Sequence, residues 1–170
     1  AFNDGSIDVS GVGNDASGSY PMGTHKIIFK VTDQCGNWNT CTSLFTIRDC
    51  KKPTPNCRSI SIELMPSMGC VAAYAFNLES GESYDNCTEY ENLIFKIERL
   101  SLLDPGQTAP DDDAGDSVKV SCLDMPPNTQ TPFVKLIIWV GDEAGNWDYC
   151  ITELWVQDWM GPCAPTSSTE

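Results

Sequence analysis

Two stretches of this chain alternate apolar and polar side chains in the two-residue rhythm of a half-buried strand. The first, residues 26–32, is rich in β-branched and aromatic types; Asp33-Gln34-Cys35-Gly36-Asn37 then reads as a turn, and a partner strand returns from Cys41. Asp bonds nearby backbone amides, while Gly and Asn tolerate the positive φ of a tight hairpin. The same unit recurs as Phe133–Val140, a turn over Gly141–Asn146 and a return over Tyr149–Gln157. Aligned from Lys26 and Lys135, 109 residues apart, the two 24-residue copies share nine identities. These are Lys26/Lys135, Ile28/Ile137, Val31/Val140, Asp33/Asp142, Gly36/Gly145, Asn37/Asn146, Trp38/Trp147, Cys41/Cys150 and Asp49/Asp158. A repeated strand–turn–strand unit predicts an array of modules.

Further strands are expected at residues 60–64, 71–77, 93–100 and 117–122, with a long polar loop over Leu103–Asp116. No window longer than about ten residues carries a 3.6-residue apolar period, so essentially no helix is expected. Short strands at this spacing predict an all-β fold, an antiparallel Greek-key sandwich. The polar, proline-interrupted segment Asp49–Cys57 reads as a linker, giving modules 1–50 and 51–163 and a flexible linker or tail, 164–170. The first module is short. Ala1-Phe2-Asn3 echoes Ala75-Phe76-Asn77, yet far fewer residues separate it from its hairpin. About fifty residues supply three or four strands, too few for a two-sheet core. The N-terminal module is therefore expected to be incomplete, packed on the second, or completed by strands from another copy.

Composition narrows the function. The chain is 41% hydrophobic and 20% charged, which fits an ordered globular protein. It contains no 18-residue apolar run, so no membrane insertion is expected. It starts without a leader-like segment, so any export signal was removed or lies upstream. A net charge of −14 argues against nucleic acid and anionic membranes as partners. Most of that acidity falls after residue 50, where 19 acidic residues face 7 basic ones, leaving divalent cations or solubility as its use. Nine cysteines point to an oxidising compartment. Zinc is the weaker reading, because no Cys-x-x-Cys pair exists and His25 is the only histidine. Connectivity does not follow from spacing; Cys87–Cys122 and Cys35–Cys41 are the pairs expected. An odd count leaves at least one thiol free or bonded outside the chain.

Residues Tyr20–Asp49 with Pro53–Cys57 resemble the hyalin repeat, an immunoglobulin-like extracellular module. The shared features are Pro21-Met22-Gly23, Val31-Thr32-Asp33, Gly36-Asn37, Cys41-Thr42 and the proline-rich run ending at Cys57. The second copy, with Ser83–Cys87 and Val140–Asp158, resembles repeats of very long secreted surface proteins of Bacteroidetes-type bacteria. Gly141 and Ala144 depart from the pattern, so the two modules cannot share one disulfide arrangement. The resemblance implies tandem immunoglobulin-like sandwiches, secretion to the cell surface, and an adhesive or filament-forming role with other copies or adjacent repeats as partners.

Several residues are candidates for chemistry. Asp111, Asp112, Asp113 and Asp116 in the polar loop offer hard oxygens to Ca²⁺, as do Asp85 with Asp142 and Glu143 if the strands bring their turns together. Carboxylates gathered at a module junction would let a cation stiffen the array. Asn86-Cys87-Thr88 matches an N-glycosylation sequon, and Asp116-Ser117-Val118 resembles the bacterial O-glycosylation motif, with Ser117 as acceptor. Trp38 and Trp147 at turn tips, and Trp159, are candidate contacts to a neighbouring module or to a surface glycan, whereas Trp139 and Trp155 are expected in the core. No catalytic function is expected: one histidine and no Gly-x-Ser-x-Gly elbow leave little for hydrolysis. The function expected is a structural or adhesive module of an extracellular bacterial fibre, with a carbohydrate-binding accessory module as the alternative.

Overall fold

A computed structural model describes residues 13, 15–65, 69–124, 132–159, 161 and 163. The strands are β1 (Gly23–Thr32), β2 (Trp38–Ile47), β3 (Ile60–Glu63), β4 (Cys70–Tyr74), β5 (Ile94–Arg99), β6 (Ser117–Ser121), β7 (Phe133–Gly141) and β8 (Trp147–Gln157). One α-helical turn, α1 (Ala75–Leu78), follows β4. The fold is all-β, and the chain divides into two compact units, Ala1–Cys50 and Lys51–Glu170. The tail 164–170 and the opening residues that echo Ala75-Phe76-Asn77 lie outside the described residues.

Both hairpins form, with matching turns. In the first, Asp33 Oδ1 accepts hydrogen bonds from the amides of Asn37 (2.8 Å) and Cys35 (2.9 Å), and Oδ2 from Asn37 Nδ2 (2.9 Å). These bonds, those from Asn37 foremost, hold the exposed Asp33 carboxyl below its ordinary pKa. In the second, Asp142 accepts the amide and the Nδ2 of Asn146, both at 2.7 Å. Gly36 and Gly145 each take φ 87°, a left-handed position that a side chain would strain.

The surroundings of the two copies differ. In the first unit β1 and β2 form a two-stranded sheet, with Phe29 opposite Cys41 and Thr32 opposite Trp38. His25 is buried at its base, between Tyr20 and Phe45 with ring centroids 5.4 and 5.3 Å away, and its Nε2–H donates to the Pro21 carbonyl at 2.7 Å. Beyond this cluster the ribbon is open: Val31 and Leu44 are each 68% exposed.

In the second unit the duplicate lies inside a four-stranded sheet ordered β3-β8-β7-β5, faced by the two-stranded sheet β4-β6. Leu136, Ile138, Leu154 and Val156 from the hairpin pack with Ala73, Ala75, Leu78 and Val120 in one core. The other face of β7 is buried too: Ile137 and Trp139 are inaccessible, and Trp139 Nε1–H donates to the buried Glu98 Oε2 at 2.8 Å. A strand buried on both faces reads as a continuous apolar run, which residues 136–140 do.

Four sequence expectations are corrected. The strand expected over 71–77 stops at Tyr74, and α1 follows because Ala75 and Leu78, three apart, both reach the core. β3 runs parallel to β8, with Ile60 opposite Leu154, rather than antiparallel. Trp155 is 38% exposed and pairs with Phe133 at 5.4 Å, because its neighbours Leu154 and Val156 take the inward side. The disulfides, finally, are Cys57–Cys150 and Cys122–Cys163, with Cα separations of 6.0 and 5.3 Å. Cys122 is thus committed to Cys163 and does not bond Cys87. Cys35 and Cys41 carry free thiols. Cys35 sits in the turn and Cys41 within β2, and the two do not bond one another.

The departure at Gly141 has a steric cause. A Cβ there would lie 2.6 Å from the ring of Trp147, which rests on the glycine. In the first copy the facing residue is Thr32, and Trp38 is displaced to 63% exposure with Lys30 Nζ 4.7 Å from its ring centroid. Gly141→Ala is expected to destabilise the second unit by about 1–3 kcal/mol, read as a lower urea midpoint; an unchanged midpoint would refute the contact.

Candidate functional site

The site begins with a buried carboxylate. Glu79, directly after α1, accepts hydrogen bonds from the Gly81 amide (2.8 Å), the Ser83 amide (3.1 Å) and the Tyr90 hydroxyl (2.7 Å). Burial pushes its carboxyl up, but the bonds from Tyr90, Ser83 and Gly81 prevail and hold it below its ordinary value. Donating to Glu79 pushes the Tyr90 phenol up to about 12. The folded loop is then joined to the segment around buried Pro53. The Asn56 amide donates to Ser83 Oγ at 2.9 Å, and Thr54 and Tyr84 exchange amide hydrogen bonds at 2.8 and 3.2 Å.

This loop delivers Asp85. Its Oδ2 accepts from the amides of Cys87 (2.9 Å) and Thr88 (3.0 Å), while its Oδ1 is buried and accepts no hydrogen bond. Thr88 ties the turn to the β7–β8 hairpin: its Oγ1 accepts from the Glu143 amide at 3.2 Å. Asp142, only 2% exposed, is thereby brought beside Asp85. Carboxylate oxygens of Asp85 and Asp142 lie within 4.8 Å of one another.

Two carboxylates at that spacing repel unless a cation lies between them. Hard oxygens without nitrogen or sulfur donors suit Ca²⁺ better than zinc. The hydrogen bonds already made do not exhaust the set, since each ionised carboxylate has about four lone-pair sites.

Of the metal ligands expected from sequence, the structure unites Asp85 and Asp142. Glu143 is exposed and offers its amide, not its carboxylate, to this region. Asp111, Asp112 and Asp113 lie exposed in the loop before β6, and no such carboxylate group among the described residues includes them. The Asp111 amide donates to Glu98 Oε1 at 2.7 Å. Local desolvation, with Glu98 and Asp113 nearby, raises the Asp111 carboxyl above its ordinary value.

Asn86 is exposed and its Nδ2 donates to Cys87 Sγ at 2.8 Å, while the sequon's Thr88 is buried. Ser117 is half-buried at the start of β6 and donates to Asp116 Oδ1 at 3.0 Å. Trp147 is half-buried against Gly141, whereas Trp38 and Trp159 are exposed, the latter's amide donating to Glu63 Oε1 at 2.8 Å. No helix among the described residues is long and apolar enough to cross a membrane. Compared with known proteins, the chain matches no family model and no curated protein.

Two outcomes are expected. Millimolar Ca²⁺ raises the melting temperature of the wild-type chain by several degrees over an EDTA control, since a cation at 100 times its Kd adds about 2.7 kcal/mol; Asp85→Asn removes most of the rise. Glu79→Gln costs about 1–3 kcal/mol at neutral pH, because the amide presents donors to donors. Glu79 is depressed in the folded state, so its contribution is present above its ordinary value of 4.5 and fades as pH falls through the folded value. The stability gap between wild type and variant therefore narrows below about pH 4.5, as urea titrations across pH would show.

Proposed function

We propose that this chain is a structural and adhesive module of a secreted bacterial surface protein, assembled into a fibre through neighbouring immunoglobulin-like units. The unequal fate of the duplicated hairpin carries the reading. One copy is enclosed by flanking strands and a covering sheet; the other, among the described strands, is a two-stranded ribbon with no further strand at either edge. Two strands alone are marginal in water, and open edges and bare apolar faces are where further strands add.

Other features support this. The two disulfides fit an oxidising compartment. The hyalin-repeat-like motifs belong to extracellular modules. A cation held by Asp85 and Asp142 would brace the turn carrying Asp85 against the β7–β8 hairpin. A carbohydrate-binding role is the second reading, favoured by the exposed ring of Trp38; Trp147, resting on Gly141, is a poorer platform.

Electron microscopy of native material is expected to show fibres with a regular axial repeat. Monodisperse single particles under all conditions would overturn the reading. Glycan-array binding lost in a folded Trp38→Ala variant would favour the second.

A further inference from the structure

We infer that Cys41 forms an intermolecular disulfide to a strand donated by a similar unit of another polypeptide, laid parallel along the free edge of β2. This rests on the fibre reading above and specifies its joint.

The duplicate shows what such a hairpin takes as its complement. Cys150, the counterpart of Cys41, is bonded to Cys57. Cys57 lies three residues ahead of β3, which runs parallel to β8 with Ile60 opposite Leu154 and Ile62 opposite Val156. The incoming segment is thus Cys-x-x-Ile-x-Ile: the sulfur bridge fixes its start and the strand completes the sheet edge. In the first unit Phe45 and Ile47 occupy the places of Leu154 and Val156, and β2 pairs with β1 alone among the described strands. Register carries over: Cys41 faces Phe29 across the hairpin as Cys150 faces Ile138.

Two independent observations mark the place as unfilled. Cys41 is an exposed free thiol. The inward set around it is uncovered as well: Leu136, Ile138, Leu154 and Val156 are inaccessible, whereas Ile27, Phe29 and Phe45 are half-buried and Ile47 is 37% exposed. The chain's own Cys57 is already bonded to Cys150, so the complement comes from elsewhere.

The bond-forming step balances with a disulfide-bearing oxidant of the oxidising compartment. Cys41 as thiolate attacks one sulfur of that oxidant, whose other sulfur leaves as a thiolate. The partner cysteine then displaces the remaining half. Two protein thiols are oxidised to one disulfide, and the oxidant departs as two thiols carrying the two protons.

Disulfide mapping of native assembled protein tests this. The material is denatured with a thiol-alkylating reagent, digested without reduction and analysed by mass spectrometry. Cys41 is expected unalkylated and cross-linked to a Cys-x-x-apolar-x-apolar peptide of a second chain. Cys41→Ser is expected to run as a single chain on a non-reducing gel with Cys57–Cys150 intact, while Cys35→Ser and Cys50→Ser leave the cross-link in place. Fibres in which Cys41 is alkylated, is bonded within its own chain, or is dispensable for the cross-link overturn the inference and leave the fibre reading standing. Alkylated Cys41 in material that forms no fibres overturns both.

Discussion

A β-hairpin presents one face that water disfavours, and whatever covers that face decides whether the hairpin is a folded unit. In the second unit the cover comes from β4, β6 and α1, with β3 and β5 at the sides. Leu136, Ile138, Leu154 and Val156 each lose all contact with solvent, worth about 1.5–3 kcal/mol apiece. The same residue types at the same register in the first unit collect only part of that gain. One strand–turn–strand plan thus gives a sheet centre in one setting and an exposed ribbon in the other, and the difference lies wholly in the company it keeps.

The acidic turn residue shows the same dependence on setting. Asp33 and Asp142 both cap their turns through the following asparagine. Asp142 also meets the Asp85 carboxylate, because the Glu79-pinned loop and the Thr88–Glu143 bond carry Asp85 to it. A residue that serves local geometry in one copy is recruited to a shared charge cluster in the other.

Legibility from sequence follows how local each feature is. Both hairpins could be read because alternation, the Asp turn and the left-handed glycine are properties of adjacent residues. The pairing of β3 with β8 could not, since the short strand Ile60–Glu63 fixes which faces point inward but not which neighbour it meets or in which direction. α1 was hidden because Ala75-Phe76-Asn77 suits an extended strand as well as a turn of helix. Trp155 faces outward because strand alternation gives its neighbours Leu154 and Val156 the inward side, and a large aromatic among apolar residues hides that parity. The disulfides depend on contacts between residues 93 and 41 positions apart, which spacing does not encode. At the carboxylate group, Asp85 and Asp142 were accessible from the acid-bearing turns.

The Cys57–Cys150 bridge also sets how far the second unit can lengthen under load. Tension applied at Lys51 and at Asp158 travels from Lys51 to Cys57, crosses the sulfur–sulfur bond, and leaves along the chain from Cys150. The chain between the two cysteines, which stand 93 positions apart, is bypassed. At about 3.4 Å per extended residue, roughly 320 Å of slack stays locked away, so the unit transmits a pull as a short tether whether or not its core has melted.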